Sequence, residues 1–219
     1  MVSSRRLLGP GSVVCATGFA YRRHHVRAWL WRLLGHDDRA FAEYLTAYRM
    51  RPDDLRSARQ LACIAAEKKR YAEAEKWFVE SLRLAPDDAD THYNHGFVLE
   101  QAGRPEAAIA AFSEALRRKP ALDCAWYGIG LARARLGEHA AAAEAFARTA
   151  ALQPMHGEAC YLWGMACHRA GRPQHVAEVV ERLASFDASL AARLVRDVGR
   201  QDDLGQLIPD IGCSATSHR

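Results

Sequence analysis

The sequence predicts an all-α solenoid of antiparallel helix pairs, on three observations. Pro52, Pro86, Pro120 and Pro154 stand 34 residues apart, three times in succession. A fixed period of roughly 20 to 50 residues is the mark of a chain built from stacked copies. Two series of small residues keep the same phase: Ala28, Ala62, Gly96, Gly130 and Gly164, and Ala40, Ala74, Ala108 and Ala142. An aromatic series follows the second one by four residues, as Tyr44, Phe78, Phe112 and Phe146. Composition agrees, because 219 residues with 49% hydrophobic and 26% charged content can bury a core. Such a balance excludes a disordered or fibrous chain.

Each series has a physical role. In the third copy the spacing predicts a first helix over 89–101 and a second over 105–118. The small residue of the first helix and the alanine of the second let two backbones approach closely. The aromatic then fills the space against the next copy. Gly103 ends the first helix, where a left-handed residue is wanted. Pro105 opens the second helix, where its missing N–H costs nothing. Pro86 stops the last helix of the preceding copy, since the residue before a proline avoids helical angles. Asp87, Asp88 and Asp90 then stand where acids cap the next helix.

The copies divide the chain as 21–54, 55–88, 89–122, 123–156 and 157–188. Residues 1–20 are expected to be a flexible N-terminal segment and 200–219 a flexible tail. The fifth copy has Ala188 in place of the proline, and Leu190, Leu194 and Val198 share a stripe. A capping helix over 189–199 is expected to cover the array's last face. The first copy is irregular. Strict phase puts His24 and Arg27 at packing positions, whereas Val26, Trp29, Leu30 and Leu33 form an apolar stripe displaced by two residues. That stripe is expected to be the packing face of a modified N-terminal cap.

At this point the chain resembles the tetratricopeptide repeat family. The period, the small residue, the alanine, the aromatic and the proline follow its pattern of W-x2-L-G-x2-Y, A-x3-F and P. The fullest copy runs from Cys124 to Pro154, with Trp126, Ile129, Gly130, Gly137, Ala142, Phe146 and Pro154 at pattern positions and Arg133 replacing the tyrosine. The resemblance covers about residues 21–188. It implies a right-handed superhelical solenoid whose first helices line a concave wall.

On that geometry the groove residues are Arg56, Arg59, Gln60, Cys63, Tyr93, Asn94, Phe97, Tyr127, Leu131, Tyr161 and Met165, of which Arg59 and those from Tyr93 onward are the expected partner contacts. Tyrosines 93, 127 and 161 repeat the 34-residue period. Aromatic and thioether side chains on such a wall suit capture of an apolar peptide or helix. Members that clamp a chaperone's C-terminal carboxylate use five basic and amide positions. Arg59 and Asn94 match two of these, while Cys63, Cys124 and Gly128 cannot donate comparably. A carboxylate clamp is therefore disfavoured.

Other chemistry finds little support. His92 and His95 share a helical face without a third ligand beside them, so packed histidines are expected and no metal. Gly128 and Gly130 lie within a helix and open no phosphate loop; no catalytic residue, cofactor or small-molecule substrate is expected. Six cysteines without a CxxC pair read as buried thiols of a reducing compartment. The net charge of +4 conceals an asymmetry. Residues 1–34 carry Arg5, Arg6, Arg22, Arg23, Arg27 and Arg32 and no acid, which leaves the repeat body slightly acidic and disfavours nucleic acid. Arg22, Arg23, Arg27 and Arg32, with Trp29 and Trp31, suit contact with an anionic membrane surface. The opening stretch is a poor export signal, broken by Gly9, Pro10 and Gly11. In the tail, Leu204, Leu207, Ile208 and Ile211 have helical spacing and suit occupation of the protein's own groove.

The expectation is a non-catalytic adaptor, assembly factor or chaperone-like scaffold that binds a protein or peptide partner in its concave groove. The alternative is a tether that holds a larger complex at a membrane surface through the basic N-terminal helix. The expected location is cytoplasmic, with a peripheral position at the inner membrane next and export last. The alanine- and arginine-rich usage points to a bacterial stand-alone protein.

Overall fold

A computed structural model describes the backbone of residues 10–207 and the side chains of residues 18–200. Residues 1–9 and 208–219, and the side chains of Cys15, Leu204 and Leu207, lie outside the described residues. So do Ile208, Ile211 and Cys213, and with them the idea of a tail in the groove. The chain forms eleven helices among the described residues. They are α1 (Pro10–Leu33), α2 (Asp37–Met50), α3 (Leu55–Glu67), α4 (Tyr71–Leu84), α5 (Ala89–Gln101), α6 (Pro105–Arg118), α7 (Asp123–Arg135), α8 (His139–Leu152), α9 (Gly157–Arg169), α10 (Pro173–Ala184) and α11 (Ala188–Leu207). Helices α5 and α6 keep the limits that the spacing predicts. Helix α1 begins inside the stretch expected to be flexible, and α11 continues past residue 199.

The helices form two compact units, one up to Arg104 and one from Pro105. In the first unit α1 packs on α2, α2 on α3, α3 on α4 and α4 on α5. One core there joins Ala28, Ala40, Tyr44, Leu61 and Ile64, and a second joins Ala62, Ala65, Ala74, Phe78 and Val98. In the second unit the chain runs α6 on α7, α7 on α8, α8 on α9 and α9 on α10, and α11 packs on both α9 and α10. Its cores centre on Phe146 with Ala142, Ala166 and Cys167, and on Leu194 with Cys160, Val179 and Leu183.

The small residues and the aromatics meet directly, ring against glycine. A Cβ on Gly130 would stand 2.6 Å from the ring of Phe146, and one on Gly128 would stand 2.6 Å from Phe112. The aromatic ring therefore occupies the volume a side chain would take. Gly35, Gly103, Gly137 and Gly171 close the first helices at φ between 68° and 77°, and Lys69 takes the same post at φ 57°. In each case the turn returns two N–H groups to the helix, as in Gly103 to Glu100 at 3.0 Å and Arg104 to Leu99 at 2.9 Å.

The acids after the prolines divide their work. Asp54 caps α3, accepting from the N–H groups of Arg56 and Ser57. Asp88 stands at the equivalent place on α5 without capping it, because its carboxylate takes the Arg59 guanidinium and the Thr91 hydroxyl instead.

Helix α1 corrects the expectation of a displaced packing stripe. Ala28 is fully buried against α2, so the strict 34-residue phase holds. The polar side chains at packing positions are satisfied across that interface. The His24 ring nitrogen lies 2.5 Å from Glu43, and Arg27 pairs with the other oxygen of Glu43 at 2.8 Å. His25 meets Asp54 at 3.1 Å and the Ser57 hydroxyl at 3.0 Å. Arg32 grips Glu67 with two hydrogen bonds, of 2.6 and 2.9 Å. Glu43, itself largely buried, thus receives both His24 and the exposed Arg27, which leaves its carboxylate paired. The apolar stripe of Val26, Trp29, Leu30 and Leu33 is left exposed.

Candidate partner-binding surface

The exposed stripe of α1 falls in register with the outward faces of α3 and α5. Adding 34 to Trp29 gives Cys63, and adding it again gives Phe97. The neighbouring set is Val26, Gln60 and Asn94, and a third set is His25, Arg59 and Tyr93. Trp29 is 61% exposed, Val26 63% and Phe97 47%, with Cys63 half-buried between the two aromatics. Burial pushes the Cys63 thiol up, with Glu67 adding to the effect, so it stays neutral and apolar at ordinary pH. These three first helices belong to one unit and repeat one register, so the side chains share a face. The result is an aromatic–thiol–aromatic row with an amide and an aliphatic beside it.

Several residues expected on the wall are spent elsewhere. Arg59 donates to the Thr91 hydroxyl at 3.1 Å and pairs with Asp88. Tyr93 and Asn94 are half-buried beside the exposed Phe97. In the second unit Tyr127 and Leu131 pack on the Phe146 core. The Tyr127 ring meets Phe146 edge-on at 5.8 Å between centroids and stacks on His156 at 5.5 Å, and burial raises its hydroxyl pKa.

Tyr161 and Met165 are corrected most clearly. Helix α11 lies against α9, and the Tyr161 hydroxyl donates to the Asp197 carboxylate at 2.7 Å. The Arg193 guanidinium sits 4.7 Å over the same ring, and Met165 packs against the Leu194 core. Tyr161 is only 8% exposed. In the last copy the wall position has become the anchor of the final helix.

The basic set divides as well. Arg27 belongs to Glu43 and Arg32 to Glu67 and Asp37, while Arg22 and Arg23 are exposed. Of the two histidines, His92 bonds the Pro86 carbonyl at 2.9 Å, and His95 lies against Phe78. No three His, Cys, Asp or Glu side chains converge for a metal among the described residues. No helix among them is long and apolar enough to cross a membrane.

Sequence reasoning missed Val26 and Trp29 as wall residues. The signal was present, because both stand on the 34-residue ladder. Their helical spacing with Leu30 and Leu33 imitated a packing face and outweighed it.

Comparison with known proteins places this geometry. Family models described as tetratricopeptide repeat match residues 53–121, 93–154 and 127–191. No curated protein sequence matches the chain significantly. Among solved structures it is similar to the MamA protein, at 20% identity over 80% of this chain and 96% of that one, with a TM-score of 0.74. It is also similar to YrrB, a repeat protein with an unusual peptide-binding site, at 22% identity over 79% and 90%, with a TM-score of 0.68. PilF of Pseudomonas aeruginosa is similar at 17% identity over 89% and 94%, with a TM-score of 0.65. With the matched models together spanning residues 53–191 and the helix pairs in 34-residue register, the chain belongs to the tetratricopeptide repeat family.

Proposed function

We propose that the chain is a non-catalytic interaction scaffold whose first unit binds an apolar partner segment along α1, α3 and α5. The observation that carries this reading is the row Trp29, Cys63 and Phe97, in one register with both aromatics about half or more exposed. Large apolar side chains held open on a rigid helix face lose little entropy on binding and offer area to a partner. Gln60 and Asn94 beside them can bond a partner's backbone. The peptide-binding description of YrrB supports a peptide or protein partner for the same fold. The scaffold needs no cofactor for this role.

Peptides selected by phage display on the full chain would test the reading, compared with a Trp29→Ala, Phe97→Ala variant of unchanged circular dichroism. Both side chains are exposed, so the variant keeps its fold. Loss of a central tryptophan from an interface costs about 2 kcal/mol, or roughly thirtyfold in affinity. Selected peptides should be apolar and should weaken by that order on the variant. Equal affinity for both proteins would remove the site from this face.

The alternative of a membrane tether loses ground on the same observations. Two of its four arginines are paired within the protein, and Val26 and Trp29 of the apolar stripe already belong to the repeat wall. Co-sedimentation with vesicles rich in phosphatidylserine separates the readings. Binding that survives Trp29→Ala, Phe97→Ala and disappears in Arg22→Gln, Arg23→Gln would favour the tether.

A further inference from the structure

The second unit carries a hollow that the partner-binding reading does not use. It lies among α6, α7 and α8 and has a volume of about 900 Å3. Leu116, Ile129 and Ala145 give it apolar walls, and Trp126 adds a half-buried ring. Arg117, Arg133 and Arg148 also line it, and Glu144 is the one acid among the lining residues.

Arg133 is the anomaly. Its register elsewhere holds Ala65, Leu99 and Cys167, which are buried, and Trp31, which is half-buried. Here a guanidinium takes the place of a small or apolar side chain, and its Nε is buried without a hydrogen-bond partner. A buried donor left unpaired costs about 1–3 kcal/mol, and more when charged, so its retention needs an acceptor from elsewhere. Arg148, on the facing helix, forms no ion pair among the described residues. Arg117 is held by Glu114 on its own helix, at 2.8 Å. The hollow therefore has an apolar wall, an indole and two unmatched guanidinium groups.

We propose that this hollow binds an organic anion: a carboxylate carried on an apolar or aromatic body, with the carboxylate on Arg133 and Arg148 and the body on Trp126, Ile129 and Leu116. Guanidinium presents a fork that fits a carboxylate with two parallel bonds. The volume is that of a small-ligand site. The same chemistry is available from a free organic acid or from an acidic side chain flanked by apolar residues in a partner.

The test is a titration of the 15N-labelled full chain with 2-naphthoate, followed by the Trp126 indole N–H and the amides of α7 and α8. Its neutral analogue, 2-naphthalenemethanol, is run in parallel. The naphthoate should shift signals around the hollow and bind about tenfold more tightly than the alcohol, the factor worth one charged hydrogen-bond pair. Arg133→Leu, which restores an apolar residue of this register, should abolish that preference without lowering the melting temperature. Arg148→Gln, at an exposed position, should weaken naphthoate alone. Shifts confined to Trp29 and Phe97, equal binding of acid and alcohol, or unchanged affinity in both variants would overturn the proposal. A second arm with the blocked peptide acetyl-Phe-Asp-Leu-amide identifies the source. Tighter binding of the peptide assigns the site to a partner's acidic side chain, and tighter binding of naphthoate assigns it to a free acid.

Discussion

Lys69 holds a left-handed backbone at a post that four other copies give to glycine. A side chain with a Cβ pays about 1–2 kcal/mol there, while glycine pays back part of that as entropy of the unfolded chain. Lys69→Gly should therefore stabilise the protein by about 0.5–1 kcal/mol, read as a higher urea midpoint with an unchanged slope. His95 is the second residue of consequence. It stands where Leu61, Ile129 and Trp163 stand in other copies, and its Nε2 is buried without a partner. Burial lowers its pKa from the ordinary value, with Glu75 opposing. The unfolded chain then binds the proton more readily than the folded one, so stability is full above about pH 6.5 and is lost as pH falls through the lowered value. His95→Leu should flatten the dependence of melting temperature on pH between about 5 and 7 and raise it at the acid end.

At the level of the element, α1 and α11 show how the two ends of an array are managed differently. Helix α1 meets α2 with ion pairs round a buried alanine and the half-buried Trp31, so Val26, Trp29, Leu30 and Leu33 remain outside. Helix α11 does the reverse: Leu194 is fully buried, fills the space over Gly164, and joins Val179, Leu183 and Cys160. Leu194→Ala should cost about 2–5 kcal/mol, the usual range for a core leucine, measurable by urea unfolding. A loss under about 1 kcal/mol would mean that α11 is a loosely attached appendage. Legibility from sequence divides along the same line. The helix limits of the third copy and the glycine turns were readable, because each is a local rule repeated in phase; the seating of the Phe146 ring over Gly130 of its own copy was not. The polar interface of α1 was not, since Glu43 reveals itself as a partner of His24 and Arg27 only when two helices are brought together. Burial of Tyr161 escaped for a related reason: the path of α11 decides it, and repeat phase says nothing about a helix outside the repeat.

For the whole molecule, the charge asymmetry of the sequence carried the alternative reading of a membrane tether, and the fold pairs part of that charge internally. Arg27 and Arg32 are neutralised by acids that lie 16 and 35 residues further along the chain. On the face shared by α1, α3 and α5, the large exposed side chains in the register of Trp29 and Phe97 are apolar. Capture of a partner by Trp29, Cys63 and Phe97 should accordingly change less than about threefold when salt rises from roughly 0.1 to 1 M, where the screening length shrinks from about 10 to 3 Å. Isothermal titration at the two salt concentrations measures it, and a loss of affinity of a hundredfold or more would instead place exposed arginines at the centre of binding.

The 34-residue ladder has one further consequence, for how such a protein changes over time. Ala28, Ala62 and Gly96 sit one step before Trp29, Cys63 and Phe97 on the same helices. The first row is committed to holding backbones together, while the second is released from that duty and can drift. Exchange of three side chains at one register can therefore redirect a lineage to a new client while the architecture that folds the chain is inherited intact.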